Sequence, residues 1–435
     1  MRPNYKISAV ASFAISQNVT HRAGHPPLAG PMQTPHSPPK FGDPLSGLTT
    51  QQATNFTLGQ AQFRVIDGPA DGLGPIFNAQ SCNACHTQPY VNGIVTTGGA
   101  SAITETRAGM LNPDGSFYPL ITEDGTLFHL ASLTPGSQET VPPDATIVAH
   151  RKTTPIFGAG LIEAIPDATI LANVNAAHAD GVIGRAAVLT DSVTTAIGSN
   201  KVGRFGWKCQ ESTLLAFSGD AYLNEMGITN RLFATDLAPD GNQAALVAAE
   251  PLGYSLATPN TPTTQLTPTT LQDLPENPAL PESASNKDDI ARFTDFMELL
   301  APPPTVPLTP QAIQGQQLFL QINCVSCHKP SMQTGSSAVS SSLAFRNVPL
   351  YSDLLLHHMG SLGDGIAQAA AQPDEMRTAP LWGLRARGPF LHDGRASTVD
   401  TAIRLHDGEA ATVRNRYIQL TPQQQQAVLA FLNSI

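Results

Sequence analysis

The chain has 435 residues, of which 41% are hydrophobic and 13% charged, and its net charge is −10. That length holds two domains with real cores, and that hydrophobicity excludes a disordered chain. An acidic balance without a basic stripe argues against nucleic-acid binding, and no apolar run is long enough to span a membrane.

The N-terminus opens with Met1-Arg-Pro-Asn-Tyr-Lys6 and a short apolar stretch from Ile7 to Ile15. This has the form of a weak secretory signal without a clean cleavage site; the competing reading is a disordered tail. Polar, Pro- and His-rich sequence follows, so residues 1–42 are read as signal and extended leader. A helical pattern runs from about Thr50 to Val65, with Phe56 and Phe63 on one face. Gly98 to Pro143 reads as turn-rich, with a tight turn at Asn112-Pro-Asp-Gly115. Gly158 to Ile165 is small and apolar, and Asp167 caps a helix reaching toward His178. Residues 251–286 are rich in Pro and Thr and read as a linker between an N-terminal domain, 43–250, and a C-terminal domain, 287–435. Ile290, Phe293, Met297 and Leu300 form a helical stripe stopped by Pro302 to Pro304. Thr309-Pro310 starts a helix that carries Leu318 and Phe319, and Thr421-Pro422 starts a terminal helix with Val428, Leu429, Phe431 and Leu432.

Four of the five cysteines stand in Cys82-Asn-Ala-Cys85-His86 and Cys324-Val-Ser-Cys327-His328. This is the spacing of covalent haem c attachment: two thiols bond the porphyrin's two vinyl groups and the adjacent histidine ligates the iron. A single zinc held by four cysteines is an alternative, but it gives no reason for a histidine after each pair. Redox dithiols are a second alternative. Covalent haem attachment normally occurs outside the bacterial cytoplasm, so the motifs favour a periplasmic or otherwise exported protein. Cys209 is left over and reads as a small buried side chain. An amphipathic helix entering the second motif, paired with a terminal helix, is the arrangement of a cytochrome c domain. The fold class expected is therefore mainly α: two cytochrome c-like haem domains with long irregular insertions.

Several phrases carry a resemblance: Phe77-Asn78, Phe157 to Pro166, Arg204-Phe-Gly-Trp-Lys208, Tyr222 to Gly227, Tyr351 to His357, Arg377 to Trp382, and Phe390 to Thr398 through Gly408-Glu-Ala410. On these the chain resembles the bacterial di-haem cytochrome c peroxidase superfamily. Within it, the chain is most similar to the family "di-haem oxidoreductase, putative peroxidase". In that superfamily the sixth ligand of the C-terminal haem lies fourteen residues past the histidine of a His-x-Gly motif, which here is His392, so the resemblance assigns His406. Helical spacing agrees, since Thr398 is a cap and Val399, Ala402, Ile403 and His406 share a face. Histidine there implies bis-histidine iron and a lower potential than methionine would give. Met359 and Met376 are rival ligands.

The resemblance also implies that the N-terminal haem, held by His86, is the one that meets peroxide. His129, His150 and His178 follow it, and none matches a known phrase. Such a site needs an acid–base group, and Glu163, a carboxylate inside an apolar run, is the candidate. Trp207 is the candidate relay between haems, with Trp382 the other tryptophan. Arg377, Arg395 and Arg204 are candidate partners of haem propionates. Calcium between the domains is implied as well, with largely backbone ligands that the residues do not identify.

The reading is an oxidoreductase that takes electrons from a small donor protein, a cytochrome or cupredoxin, through the C-terminal haem and reduces hydrogen peroxide at the N-terminal haem. A non-catalytic electron-transfer cytochrome is the second reading and needs both irons closed. A di-haem oxygenase is the third and needs a hydrophobic substrate channel.

Overall fold

The computed structural model describes residues 40–87, 90–91, 94–95, 104–120, 125–174, 180–190, 200–233, 235–249 and 288–435. The signal and most of the leader, the linker at 251–286 and His178 lie outside them. No helix of the described residues is long and apolar enough to cross a membrane.

The helices that the sequence marks at Thr309, Thr398 and Thr421 begin where those caps say, and the one marked at Asp167 begins a residue earlier. Helix α1, Thr50–Gln62, is opened by Thr49, whose hydroxyl accepts from the Gln52 amide while Gln52 reaches back. A single turn, α2, Cys82–Cys85, carries the first haem motif. Then come α3, Ala159–Glu163, and α4, Asp167–Val174. Asp167 is the first residue of α4 rather than its cap; its carboxylate accepts from the Val202 amide and pairs with Arg204. Thr213 caps α5, Leu214–Met226, and α6 is Gln243–Ala249. Asp288 caps α7, Asp289–Leu299, Thr309 caps α8, Pro310–Gln321, and Thr398 caps α9, Val399–Leu405. The chain closes with α10, Ala411–Gln419, and α11, Pro422–Leu432.

Two large apolar cores result, beside two small clusters. In the first, α1, α5 and α7 pack around Phe56, Phe63, Tyr222, Phe293 and Phe296. In the second, α8 and α11 pack around Phe319, Tyr351, Tyr417 and Phe431. Each depends on one glycine at a helix crossing. A Cβ on Gly59 would lie 2.3 Å from the Arg292 carbonyl oxygen, and one on Gly315 would lie 1.8 Å from that of Ala427. Leu343, Val348, Leu350, Leu354, Leu355 and Trp382 belong to the first core although they follow the second haem motif. All described residues belong to one compact unit.

The stretch expected to be turn-rich holds the largest sheet instead. Strand β1, Thr104–Leu111, pairs antiparallel with β2, Phe117–Tyr118, with β3, Leu127–Phe128, and with β4, Ile147–Lys152. The turn at Asn112–Gly115 is present, joining β1 to β2. Alternation in β1 is obscured by Gly109 and by the charges of Glu105 and Arg107, which face a buried polar cavity rather than solvent. "Mainly α" therefore describes the two cores but not the wall between residues 104 and 152. A short pair, β5, Leu356–His358, and β6, Glu375–Arg377, lies near the second motif.

Candidate functional site

Two cavities hold the two motifs. The larger, of about 240 Å³, is lined by Cys324, Cys327 and His328 and also by His406. Helix α8 delivers the motif, and α9 ends on His406 as its C-cap residue. The rings of His328 and His406 have centroids 6.4 Å apart. Two metal–nitrogen bonds of about 2.0 Å, plus about 1.1 Å from each nitrogen to its ring centre, add to about 6.2 Å. The Nδ1 of His328 lies 3.0 Å from the Tyr351 carbonyl oxygen, and that of His406 lies 2.7 Å from Ala402's. A carbonyl only accepts, so both Nδ1 atoms carry protons and each Nε2 keeps its lone pair for a metal. Burial, then the neighbouring His406, pushes His328 down to about 4, and burial lowers His406 as well, so both imidazoles are neutral. Met359, Met376 and His392 line the same cavity.

Its rim is cationic. Lys152, Arg377 and Arg387 line it, and none of them is in an ion pair among the described residues. Arg377 donates to the Gly206 carbonyl and Arg387 to the Pro380 carbonyl, while Arg387 Nε is buried with no partner. Burial lowers Lys152 to about 8 and Arg387 to about 10. Desolvated cations beside a cavity fit the carboxylates of a haem. Arg204 and Arg395 do not belong to this group: Arg204 pairs with Asp167 and donates to the carbonyls that end α3, and Arg395 pairs with Asp393.

The second cavity, of about 130 Å³, is lined by Cys82, Cys85 and His86, with Phe63 5.6 Å from the His86 ring. Among the described residues no second histidine lines it. Its wall is made by Glu105 and Arg107 of β1, Arg151 and Lys152 of β4, and Asp220 and Glu225 of α5. Arg107 Nε donates to Glu105 at 2.7 Å, and Asn78 donates to Glu225 at 2.7 Å. Arg151 Nη2 is buried without a partner. Burial opposes the ionisation of Glu105, but Arg107 and Arg151 outweigh it and hold Glu105 below its ordinary range. Burial and then the Glu105 charge raise Glu225 to about 8, and burial raises Asp220 to about 6. Glu105 and Glu225 are hydrogen-bonded, so the pair shares one proton at neutral pH. Met226 and Met297 also line the cavity.

Glu163 lines neither cavity. Its Oε1 accepts the Leu214 amide at 2.7 Å and so stabilises the start of α5. A carboxylate within an apolar run was a sound reason to expect a role, but that role is helix capping. The carboxylates in the His86 cavity were not selected from sequence. Glu225 lies within Tyr222 to Gly227, which was noted for resemblance alone, and Glu105 was hidden in the unrecognised strand. His129 is buried against Glu139 at 2.6 Å, and His150 lies beside Thr106.

Trp207 lines both cavities. Its indole N–H donates to the Lys152 carbonyl at 2.7 Å, and its own carbonyl accepts the Arg377 amide at 2.9 Å. These two partners stand at matching places of a repeated phrase: Lys152-Thr-Thr-Pro-Ile-Phe-Gly158 and Arg377-Thr-Ala-Pro-Leu-Trp-Gly383. That repeat is the signal that could have placed Lys152 at the rim. Next to Trp207, Lys208 is fully buried, 2.8 Å from Asp364, and donates to the Gln372, Pro373 and Glu375 carbonyls. Trp382 instead packs in the first core against Gly158.

The zinc and dithiol alternatives find no support. Among the described residues, the one group of three or more metal-binding side chains is Cys327, Asp353 and His357, which holds a single motif cysteine. Burial raises all four motif thiols, Cys85 and Cys324 to about 12, which disfavours the thiolate that dithiol exchange needs. Cys209 is buried at a positive φ of 53°, with its sulfur 3.7 Å from the Leu354 carbonyl.

The family model described as "Di-haem oxidoreductase, putative peroxidase" matches residues 139–435. Similar solved structures include hydrazine synthase of Kuenenia stuttgartiensis, at 14% identity, covering 95% of this chain and 100% of that one, TM-score 0.39. A MauG-like protein associated with microbial copper homeostasis is 16% identical over 93% and 95%, TM-score 0.39. The dihaem peroxidase BthA of Burkholderia thailandensis is 14% identical over 88% and 85%, TM-score 0.38. No curated protein matches.

Proposed function

The chain belongs to the di-haem oxidoreductase family, whose members hold two haems, and we propose that it is a peroxidase-type enzyme with unlike irons. One haem is attached at Cys82 and Cys85 on His86, the other at Cys324 and Cys327 on His328. Such attachment implies an exported, periplasmic protein. The observation that carries the reading is the difference between the cavities: His406 faces His328 at bis-ligand distance, while carboxylates and arginines face His86. When bound, the haems supply the redox chemistry by which peroxide is reduced to water.

The chain's residues supply the rest. Neutral His328 and His406 would hold one iron between them, and a small cytochrome or cupredoxin would be its electron donor. Lys152, Arg377 and Arg387 would pair with that haem's propionates. In the His86 cavity, the Glu105–Glu225 pair holds a proton beside Arg107 and Arg151, which suits transfer between peroxide oxygens. Trp207 spans the two cavities with its N–H on a carbonyl, so it stays protonated there and is positioned as the relay. The described residues present no cluster of carboxylates fit for calcium, so calcium remains tied to backbone ligands and is tested by metal analysis of the purified protein.

The test is steady-state consumption of hydrogen peroxide by the haem-loaded protein with a reduced small cytochrome as donor. Donor oxidation at two electrons per peroxide is expected. Donor oxidation that is indifferent to peroxide would favour the electron-transfer reading.

A further inference from the structure

The phrases Tyr351 to His357 and Gly408-Glu-Ala410 marked the family, yet the proposed chemistry uses neither. The structure joins them. His357, on β5, is 1% exposed, and each of its ring nitrogens faces a carboxylate. Nε2 lies 3.0 Å from Asp353 Oδ2, and Nδ1 lies 2.9 Å from Glu409 Oε2. Both carboxylates accept from backbone amides: Glu409 from Ile183 at 2.7 Å and His358 at 3.1 Å, and Asp353 from Leu355 at 3.0 Å. A carboxylate only accepts, so a neutral His357 would set a lone pair against one of them; two donors are required, and the ring is an imidazolium. Burial works against the charge, but Asp353, Cys327 and Glu409 outweigh it and push His357 up to about 12.

The same Nδ1 lies 3.7 Å from Cys327 Sγ, and the Asp353 amide donates to the Cys327 carbonyl at 2.9 Å. The free thiol here stands for the thioether sulfur of the attached haem, which keeps lone pairs to accept with. Glu409, for its part, sits three residues past His406, in the turn Gly408–Ala410 that follows α9. One imidazolium thus ties the attachment cysteine on one side of the cavity to the turn behind the opposing histidine.

We infer that Asp353, His357 and Glu409 form a buried charge triad that sets the reduction potential of the haem at Cys327, with His357 as its positioning residue. This rests on haem attachment at Cys324 and Cys327. A cation at the thioether favours the ferrous form, because oxidation would add positive charge beside it; each flanking carboxylate favours the ferric form. The roles are therefore opposite in sign, which mere shape does not require.

The experiment is a spectroelectrochemical titration of the loaded protein, resolving both haems, for the wild type, His357→Gln, Glu409→Gln and Asp353→Asn. Expected is a fall in the C-terminal potential for His357→Gln, a rise for each carboxamide variant, and an unchanged N-terminal potential throughout. Shifts of one sign in all three, or none, would overturn the triad. Should His357→Gln be recovered without two haems, the carboxamide variants decide: a rise supports the triad, and no change or a fall overturns it. Wild-type protein lacking a pyridine haemochrome signature of two c-type haems would strike instead at the attachment itself.

Discussion

Around His328 the cavity wall is largely apolar, the facing imidazoles of His328 and His406 are neutral, and its charged groups include the rim cations Lys152, Arg377 and Arg387 and the buried His357. Around His86 the wall carries Glu105, Arg107, Arg151, Asp220 and Glu225, with no second histidine among the described residues. The two cavities begin from the same Cys-x-x-Cys-His spacing, so the attachment motif does not decide what an iron does. In the proposed reading the far wall decides it: helix α9 would offer His406 to one iron, while β1 and α5 would offer titratable groups to the other.

The largest test of that contrast removes the proton store. Glu225→Gln keeps the shape of the pair and is expected to lower peroxide turnover by about 10²–10⁴-fold, measured with saturating donor, while the His328/His406 spectrum is unchanged. Turnover should also fall as pH rises through about 8, where the Glu105–Glu225 pair loses its shared proton. The sign follows from the raised value: the folded state favours the protonated acid, so this contribution to stability is full below the ordinary glutamate range and is lost between there and about 8. A flat profile from pH 6 to 9 would remove the pair from the reaction.

Smaller effects separate the two cores. Gly315→Ala forces a Cβ into the Ala427 carbonyl and should cost about 1–3 kcal/mol in chemical denaturation, loosening the His328 side while the His86 cavity still reacts. Gly59→Ala should do the reverse. Smallest in stability is Trp207→Phe, which forfeits the bond to the Lys152 carbonyl, about 1 kcal/mol, and should slow electron transfer between haems as followed by stopped flow.

The helices were legible because their signals are local: Thr309, Thr398 and Thr421 each accept from the backbone amide that their position in sequence predicts. That His406 faces His328 was legible because its helical register and the family register agree. The sheet was not, because Glu105 and Arg107 point into a buried cavity, and a charged strand face in one sequence reads as surface. Glu163 misled for the converse reason. An acid among apolar residues announces burial, and burial beside the start of another helix is satisfied by that helix's amide. The Asp353–His357–Glu409 grouping joins positions more than fifty residues apart and has no sequence signature of its own.

Electron paramagnetic resonance of the oxidised and half-reduced protein, followed by rapid mixing of the half-reduced form with peroxide, tests the central claim most directly. The account predicts one low-spin bis-histidine signal, lost on His406→Gly, and a second iron that is open in the half-reduced form and reacts within milliseconds. Two low-spin irons that stay inert to peroxide would contradict it.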